Sequence, residues 1–273
     1  MPMRLDLHMH STASDGACSP AEVVKRATGR LDVIALTDHD TVGGVEQATR
    51  AAAGLPLHVI PGVELSSTHR GRDVHVLGYF IDPTSPGLRE HESKAMGSRE
   101  RRMEEMIARL GNQGIHVEME AVLRAAGPDR GSIGRPHLAR ALVEAGHASS
   151  VPDAFDRWIG DIQPSFVPTS LIDPGGVVAV VKAAGGIAVW AHPPLDLIDE
   201  LLPSMVRDGL RGLEVYRPRA DARLIGHLER TARTAGLLVT GGSDWHTPDA
   251  GSDLGDFHVT GEDVSRFLEE GGM

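Results

Sequence analysis

Short runs of Val, Ile and Leu recur along this chain, bounded by Gly, Pro or polar residues and separated by helix-like sequence. Met3–Leu7, Asp32–Thr37, Leu57–Val63, Val74–Phe80, Gly186–Ala191, Gly212–Tyr216 and Leu237–Thr240 have the length and content of buried strands. Between most of them the chain reads as helix. Ser19-Pro-Ala-Glu22 supplies an N-cap, an N1 proline and an N3 glutamate, opening a helix through Thr28. Val42–Ala53, Pro174–Ala184, Leu197–Asp208 and Ala220–Ala235 also read as helices. Repeated β-α units predict a parallel sheet, and seven strands suffice for a barrel.

From Asp82 to Leu171 the alternation stops. The stretch opens in a loop, Asp82-Pro-Thr-Ser-Pro-Gly-Leu. Glu92–Gly111 then reads as a helix, with Met96, Met103, Met106, Ile107 and Leu110 at three- and four-residue spacing. Glu118–Ala126, Pro136–Ala145 and Val151–Ile159 read as shorter helices, and no comparable strand falls among them. The expected organisation is a barrel built from residues 1–82 and 172–273, with a small all-helical insertion over 83–171.

Histidines and acids gather where the strand runs end. His8-Met-His10 closes the first run, and residues i and i+2 of an extended chain point to one side, so both imidazoles face together. Chance histidines on a polar strand face would look the same. Asp15 follows in a Ser/Asp/Gly loop that is also ordinary turn sequence. Thr37-Asp38-His39-Asp40 closes the second run; capping of the next helix by Asp40 or Thr41 explains one of these residues and leaves His39 over. Glu64 follows Val59-Ile-Pro-Gly-Val. His75 stands inside an apolar run, where a hydrogen-bonded core histidine is the simpler reading of it alone. His192 closes Ile187-Ala-Val-Trp-Ala-His, and Asp244 and His246 follow Val239-Thr-Gly-Gly-Ser. Jointly these residues lie at or near the ends of six strands, which converge on one face of a parallel barrel. Six imidazoles and three carboxylates there predict a site for two or three ions of the Zn²⁺, Mn²⁺ or Fe²⁺ type.

Composition excludes other classes. A net charge of −11 with neutral histidines disfavours broad binding of long polyanions. Arginine outnumbers lysine 24 to 3, which supplies forked donors for phosphate or carboxylate. No apolar run approaches the ~20 residues of a membrane span. The N-terminal Met1-Pro-Met-Arg-Leu-Asp-Leu-His alternates like a strand rather than a secretory h-region. Cys18 alone cannot build a disulfide framework and fits a reducing compartment, so a cytoplasmic protein without membrane contact is expected.

Read together, His-Met-His-Ser-Thr-x-Ser-Asp-Gly, Thr-Asp-His-Asp, Pro-Gly-Val-Glu, Ala-His-Pro and Gly-Ser-Asp-Trp-His resemble the motif set of the polymerase-and-histidinol-phosphatase (PHP) family of metal-dependent phosphoesterases. The resemblance runs nearly the full length and keeps every ligand position in order. It implies a distorted seven-stranded β/α barrel holding three divalent ions, Mn²⁺ foremost, with Zn²⁺ or Fe²⁺ as alternatives. It implies that His8, His10, Glu64 and Asp244 hold one ion, that Glu64 bridges to a second completed by His75 and His192, and that Asp15, His39 and His246 hold the third.

Within the insertion, Ser98-Arg-Glu-Arg-Arg-Met and Gly134-Arg-Pro-His-Leu-Ala-Arg-Ala-Leu resemble the branch that dephosphorylates nucleotides. That branch includes 3′,5′-nucleoside bisphosphate phosphatases, AMP-type phosphatases and short-RNA 5′-to-3′ exonucleases. The implied substrate contacts are Arg99 and Arg102, three apart on one helix and able to address one anion. Arg135 and His137 join them at a helix start, where free N–H groups also favour phosphate. Surface pairing with Glu104 and Glu105 is the plainer reading of the first two. After the sixth strand, Glu214-Val-Tyr-Arg217-Pro-Arg219 departs from the histidine-containing segment of many relatives. Arg217 is therefore a further substrate candidate, and Glu214 can point into the barrel rather than at metal.

The expected activity is hydrolysis of a small nucleotide's phosphate monoester, of AMP or 3′,5′-nucleoside bisphosphate type, by a metal-bound hydroxide held by Glu64 and Asp244. Histidinol phosphate, a sugar phosphate, a cyclic phosphodiester or a short RNA are the alternative substrates. A non-catalytic metal-binding module is disfavoured by the full ligand set. C–N hydrolysis is disfavoured because Lys25, Lys94 and Lys182 are not at strand ends.

Overall fold

The computed structural model describes residues 2–128, 132–248 and 253–273. Eight strands run along the chain: β1 (Arg4–Asp6), β2 (Val33–Leu36), β3 (His58–His69), β4 (Arg72–Tyr79), β5 (Ile187–Trp190), β6 (Gly212–Tyr216), β7 (Leu238–Gly241) and β8 (Val259–Thr260). They form one sheet in the order β7-β6-β5-β4-β3-β2-β1-β8. The sheet nearly closes on itself. Leu7 N donates to Gly241 O at 3.2 Å, Asp244 N to His8 O at 2.9 Å and His10 N to Trp245 O at 2.9 Å, joining the segment after β1 to the segment after β7.

Each of the seven expected runs overlaps a strand, with β3 continuing beyond the expected Val63 to His69 and β4 starting at Arg72 instead of Val74, and β8 adds a short eighth, antiparallel to β1. The expected parallel sheet holds in two blocks only. β1, β2 and β3 pair in parallel, as do β5, β6 and β7, but β4 is antiparallel to both β3 and β5. The cause is a two-residue hairpin loop. Arg70 and Gly71 have φ of 48° and 77°, and His69 pairs directly with Arg72. Positive φ at both loop residues is what a type I′ turn requires, and such a turn reverses the chain within the sheet.

Helices cover the outside. α1 (Pro20–Ala27) has the expected capping box, Ser19 Oγ accepting from Glu22 N and the Glu22 carboxylate accepting from Ser19 N. α2 (Val45–Ala52) starts later than the Val42 expected, because Gly43-Gly44 does not support a helix start. α7 (Pro174–Ala183), α8 (Leu195–Asp208), α9 (Ala222–Ala235) and α10 (Ser265–Glu270) complete this layer. Val177, Val178 and Val181 of α7 pack against the sheet through Val63, Val76 and Trp190. A second cluster, with Leu5, Ile60, Leu77, Tyr79 and Val189, joins opposite strands of the barrel. Each such side chain stabilises the fold by ~1.5–3 kcal/mol when buried.

Between β4 and β5 lie α3 (Pro86–Gly111), α4 (Met119–Ala126), α5 (Arg135–Glu144), α6 (Val151–Ala154) and a π-helical turn at Phe155–Ile159. No strand occurs in this stretch among the described residues. Met103, Met106 and Leu110 of α3 meet Val122, Leu138 and Leu142 in a separate apolar cluster. No helix among the described residues is long and apolar enough to cross a membrane.

Candidate metal centre

The strand ends place the histidines and acids. His8 and His10 follow β1, His39 follows β2, His192 follows β5, and Asp244 and His246 follow β7. All of these strands run the same way, so the residues after them arrive at one rim. His75 lies near the start of β4, not its end, and reaches the same rim because β4 is reversed. Ser66 is its direct partner, which puts Glu64 on the neighbouring diagonal of the same sheet face.

Three rim residues hold left-handed backbone: Asp40, His192 and Asp244, with φ of 55°, 30° and 54°. A non-glycine residue held there stores of order 1–3 kcal/mol of strain, a cost characteristic of functional sites.

Glu64 is the hub and is fully buried. Its Oε1 lies 2.9 Å from His75 Nδ1 and 3.0 Å from His192 Nε2. Its Oε2 lies 3.1 Å from His8 Nε2, 3.3 Å from His10 Nε2 and 3.1 Å from His39 Nδ1. Asp244 Oδ1 lies 3.3 Å from His8 Nε2 and 3.1 Å from His10 Nε2. Asp15 Oδ1 lies 3.4 Å from His246 Nε2 and 3.9 Å from His10 Nδ1.

Among the described residues three groups could each hold a metal ion: His8, His10, Glu64 and Asp244; His39, Glu64 and His75; and His10, Asp15, His39 and His246. His10 and His39 each take part in two of these groups, a sharing absent from the expected division. The donor set fits cations on a second ground. Among the described residues, the Nδ1 of His10 is buried without a hydrogen-bond partner, and that of His39 makes no aligned hydrogen bond although Glu64 Oε2 lies 3.1 Å away, a state disfavoured unless something else binds these atoms.

Electrostatics point the same way. Burial alone would raise Glu64, but His39, His8 and His75 hold its carboxyl well below the usual range. Asp244 is likewise held low, by His8 and His10 against its burial. Burial dominates at His39 and pushes it down to about 3, against the pull of Glu64 and Asp15. His246, beside Asp15 and Asp244, is raised to about 10 in spite of burial. A ring this strongly held as a cation marks a place where positive charge is favoured, as it would be for a metal.

Two acids behind the rim were not singled out as ligands. Glu214 of β6 is fully buried, its Oε1 2.8 Å from His8 Nδ1 and its Oε2 accepting from His192 N at 2.7 Å. It points into the barrel, as the sequence suggested, and fixes the tautomer that turns His8 Nε2 toward Glu64 and Asp244. A glutamate at the centre of the five-residue run Gly212–Tyr216 was the available signal. Glu214→Gln is expected to weaken metal affinity or kcat/KM by about 10- to 100-fold while leaving the fold intact; titration with Mn²⁺ and a thermal melt together check this. Asp6 of β1 is also fully buried and accepts from Ser243 N at 2.8 Å, tying β1 to the loop after β7. Burial pushes its carboxyl up to about 6.

The arginines of the helical segment are placed differently from expectation. Arg99 does not address an outside anion. Its Nε and Nη2 donate to Asp40 Oδ2 at 2.8 and 2.6 Å, and Nη2 also donates to Ser66 Oγ at 2.7 Å. His91 Nε2 lies 2.9 Å from Asp40 Oδ1. Burial alone would raise Asp40, but Arg99 and His91 hold it far below the carboxylate range. Asp40 therefore anchors α3 to the barrel and does not cap α2, whose N-cap is Gly44.

Arg102 is also mostly buried; its Nε donates to Val167 O at 2.7 Å and its guanidinium lies over Phe166. Among the described residues, buried acceptors claim Arg99, whereas Arg102 keeps a buried Nη2 without a hydrogen-bond partner, 3.9 Å from Asp73 Oδ2. Arg135 pairs with Asp161 and lies over Phe155 and Phe166. His137 is buried in the first turn of α5, where its Nδ1 accepts from Gly134 N at 3.0 Å. Arg217 follows β6 and lines a cavity shared with Asp244 and His246.

Known proteins resemble this chain over nearly its full length. The family model described as PHP domain matches residues 6–96. A 5′-3′ exoribonuclease of Haemophilus influenzae is 34% identical over 93% of this chain and 94% of its own length. A 3′,5′-nucleoside bisphosphate phosphatase of Chromobacterium violaceum is 33% identical over 92% of this chain and 90% of its own. The crystal structure of a candidate metal-dependent phosphoesterase from Bifidobacterium adolescentis superposes with a TM-score of 0.88 at 33% identity, covering 98% of this chain and 97% of that one. With its rim of imidazoles and carboxylates and these full-length likenesses, the chain belongs to the PHP family of metal-dependent phosphoesterases and is a hydrolase of phosphate esters.

Proposed function

We propose that the protein removes a phosphate monoester from a small nucleotide, with three divalent ions, Mn²⁺ foremost, at the rim. In this reading His8, His10, Glu64 and Asp244 hold one ion; Glu64, His75 and His192 hold a second; and Asp15, His39 and His246 hold the third. Such ions would lower the pKa of bound water to give a hydroxide at neutral pH and offset the charge of the phosphate oxygens. Glu64, buried between the imidazoles, keeps its charge and orients the groups on both sides. Glu214 holds His8 in the ligating tautomer.

One observation carries the choice of a small substrate: the helical segment closes on the rim. Arg140 Nη2 of α5 donates to Asp15 O at 2.8 Å. A side chain built on Gly134, just before α5, would come within 3.7 Å of Asp15 Oδ2. The start of α5 therefore faces the centre, although Pro136 has no N–H and the N–H groups of Gly134 and His137 already donate to His137 Nδ1 and Gly134 O. Arg135 and His137 in this first turn shape that face rather than act as loose surface charges. The net charge of −11 opposes a long polyanion outside the site.

Phosphate release with Mn²⁺ from AMP, adenosine 3′,5′-bisphosphate, histidinol phosphate, p-nitrophenyl phosphate and short 5′-phosphorylated RNA tests the reading. The nucleotides should exceed histidinol phosphate and p-nitrophenyl phosphate by at least ~10-fold in kcat/KM, the value of one good charged contact. Equal rates on all small esters, or a strong preference for RNA lengthening with the chain, would refute it.

A further inference from the structure

Asp38 follows β2, stands next to His39 and is buried, yet it belongs to none of the three candidate ligand groups. Its side chain turns instead to the loop after β1. Oδ1 accepts from Ser11 N and from Ser14 Oγ, both at 2.7 Å, and Oδ2 accepts from Ser11 Oγ at 2.7 Å. A buried carboxylate is costly unless hydrogen bonds satisfy it, and these three all come from one loop. A Cβ on Gly44 would come within 2.7 Å of Oδ2, so the glycine before α2 leaves the room that this carboxylate fills.

The loop that Asp38 grips carries Asp15. It is folded tightly: Gly16 N and Ser14 N donate to Ser11 O at 2.9 and 3.1 Å, and Ala13 N donates to Ser11 Oγ at 3.1 Å. A Cβ on Gly16 would come within 2.5 Å of His10 O. Ser11 is thus the pivot of the turn, and Asp38 holds both its N–H and its hydroxyl. From the other side Arg140 of α5 donates to Asp15 O. His10 has a tie of its own to the barrel, His10 N donating to Trp245 O at 2.9 Å. Loss of the Asp38 side chain therefore frees Asp15 more than it frees His10.

Ser14 gives a sharper reason. Its Oγ lies 2.7 Å from Asp38 Oδ1 and 3.4 Å from Asp15 Oδ1. A hydroxyl has one proton to donate, and the shorter contact with Asp38 takes it. Asp15 Oδ1 is left facing His246 Nε2, 3.4 Å away, with no hydroxyl proton across its lone pairs. Without the Asp38 carboxylate the same hydroxyl would turn to Asp15 and cover an oxygen that a cation needs.

We propose that Asp38 is a positioning residue for Asp15: by gripping Ser11 and drawing off the Ser14 proton, it sets the oxygen that completes the ion position of Asp15, His39 and His246. The proposal rests on the reading above that these three residues hold one ion. Its effect is confined to that position. The backbone tie from Glu64 N to Asp38 O, at 3.2 Å, survives any change of the side chain, so the ion positions around Glu64 keep their ligands. Partners that orient a metal's ligands are worth about 10- to 100-fold in metal affinity.

The test is a double-variant cycle on Mn²⁺ binding, read by calorimetric titration of the whole chain after chelation and by elemental analysis. Asp38→Ala should weaken one ion position by roughly 10- to 100-fold and leave the other ions bound. Asp15→Ala should weaken the same position, and adding Asp38→Ala to it should cost little more, because both act through one oxygen. Adding Ser14→Ala to Asp38→Ala should recover part of the loss, since the competing hydroxyl is gone. Asp38→Asn keeps an acceptor for Ser11 N and Ser14 Oγ and should retain most of the affinity. If Asp38→Ala fails to fold, Ser11→Ala takes its place in the cycle; it should weaken the same position by about 3- to 10-fold, the worth of one hydrogen bond. Full affinity in Asp38→Ala, losses that add to those of Asp15→Ala, or equal weakening of every ion by Asp38→Ala and Asp38→Asn alike overturns the proposal. Wild-type binding in Asp15→Ala overturns it as well. A wild type that takes up fewer than three ions overturns the three-ion reading instead, and the cycle still decides whether Asp38 acts through Asp15.

Discussion

Glu64→Gln is expected to lower kcat/KM on phosphate esters by about 10³-fold or more, equivalent to ~4 kcal/mol of transition-state stabilisation. No other residue at the rim meets so many partners, with five imidazoles within 3.3 Å of its two oxygens. Glutamine keeps the shape and removes the charge. One side-chain atom becomes an NH₂ donor facing ring nitrogens. Elemental analysis should show fewer ions per chain than in wild type, and circular dichroism should show a retained fold. Full activity in Glu64→Gln would remove Glu64 from the centre of the mechanism.

The second large effect concerns stability. Arg99→Ala or Asp40→Ala is expected to destabilise the protein by about 3–5 kcal/mol, because either leaves a buried charge without its partner. At roughly 2–4 °C per kcal/mol for a domain of this size, the melting temperature should fall by about 10 °C. The double variant Arg99→Met with Asp40→Asn should recover part of the loss, since the two side chains share one set of hydrogen bonds. A substrate contact would behave in the opposite way, with activity falling and the melting temperature preserved. Thermal melts of the three variants separate the two roles.

This pair also shows how far the sequence could be read. Arg99 and Arg102 stood out as a spaced pair of cations on a helix, and the spacing is real. A charge search along the chain finds the cation but not its acceptor, which for Arg99 is Asp40, 59 residues away. The same limit applied to Glu214, whose partner His8 lies 206 residues away. Its type and its place in a strand were visible, while its task was not.

Much of the architecture was legible because it is local. Strands, helices and the capping box at Ser19 follow from residue type and spacing within a few positions. The residues of the rim were visible for a related reason. Imidazoles and carboxylates are not placed at the ends of apolar strands by burial, so each one asks for an explanation. The reversal of β4 was readable in principle from Arg70-Gly71, but β-α alternation elsewhere argued for a crossover and a parallel strand.

By itself the sequence determined which segments form strands and helices, and which side chains gather at the strand ends. Those properties depend on local pattern and on residue chemistry. Only the tertiary structure decided which of these groups face one another. It put His75 on the rim by reversing β4, gave Arg99 to Asp40, and, among the described residues, left the buried Nε of Arg217 without a hydrogen-bond partner. The physical reason is that a charge is satisfied by whatever lies within about 3 Å, and the closing of the barrel sets that distance between residues far apart along the chain.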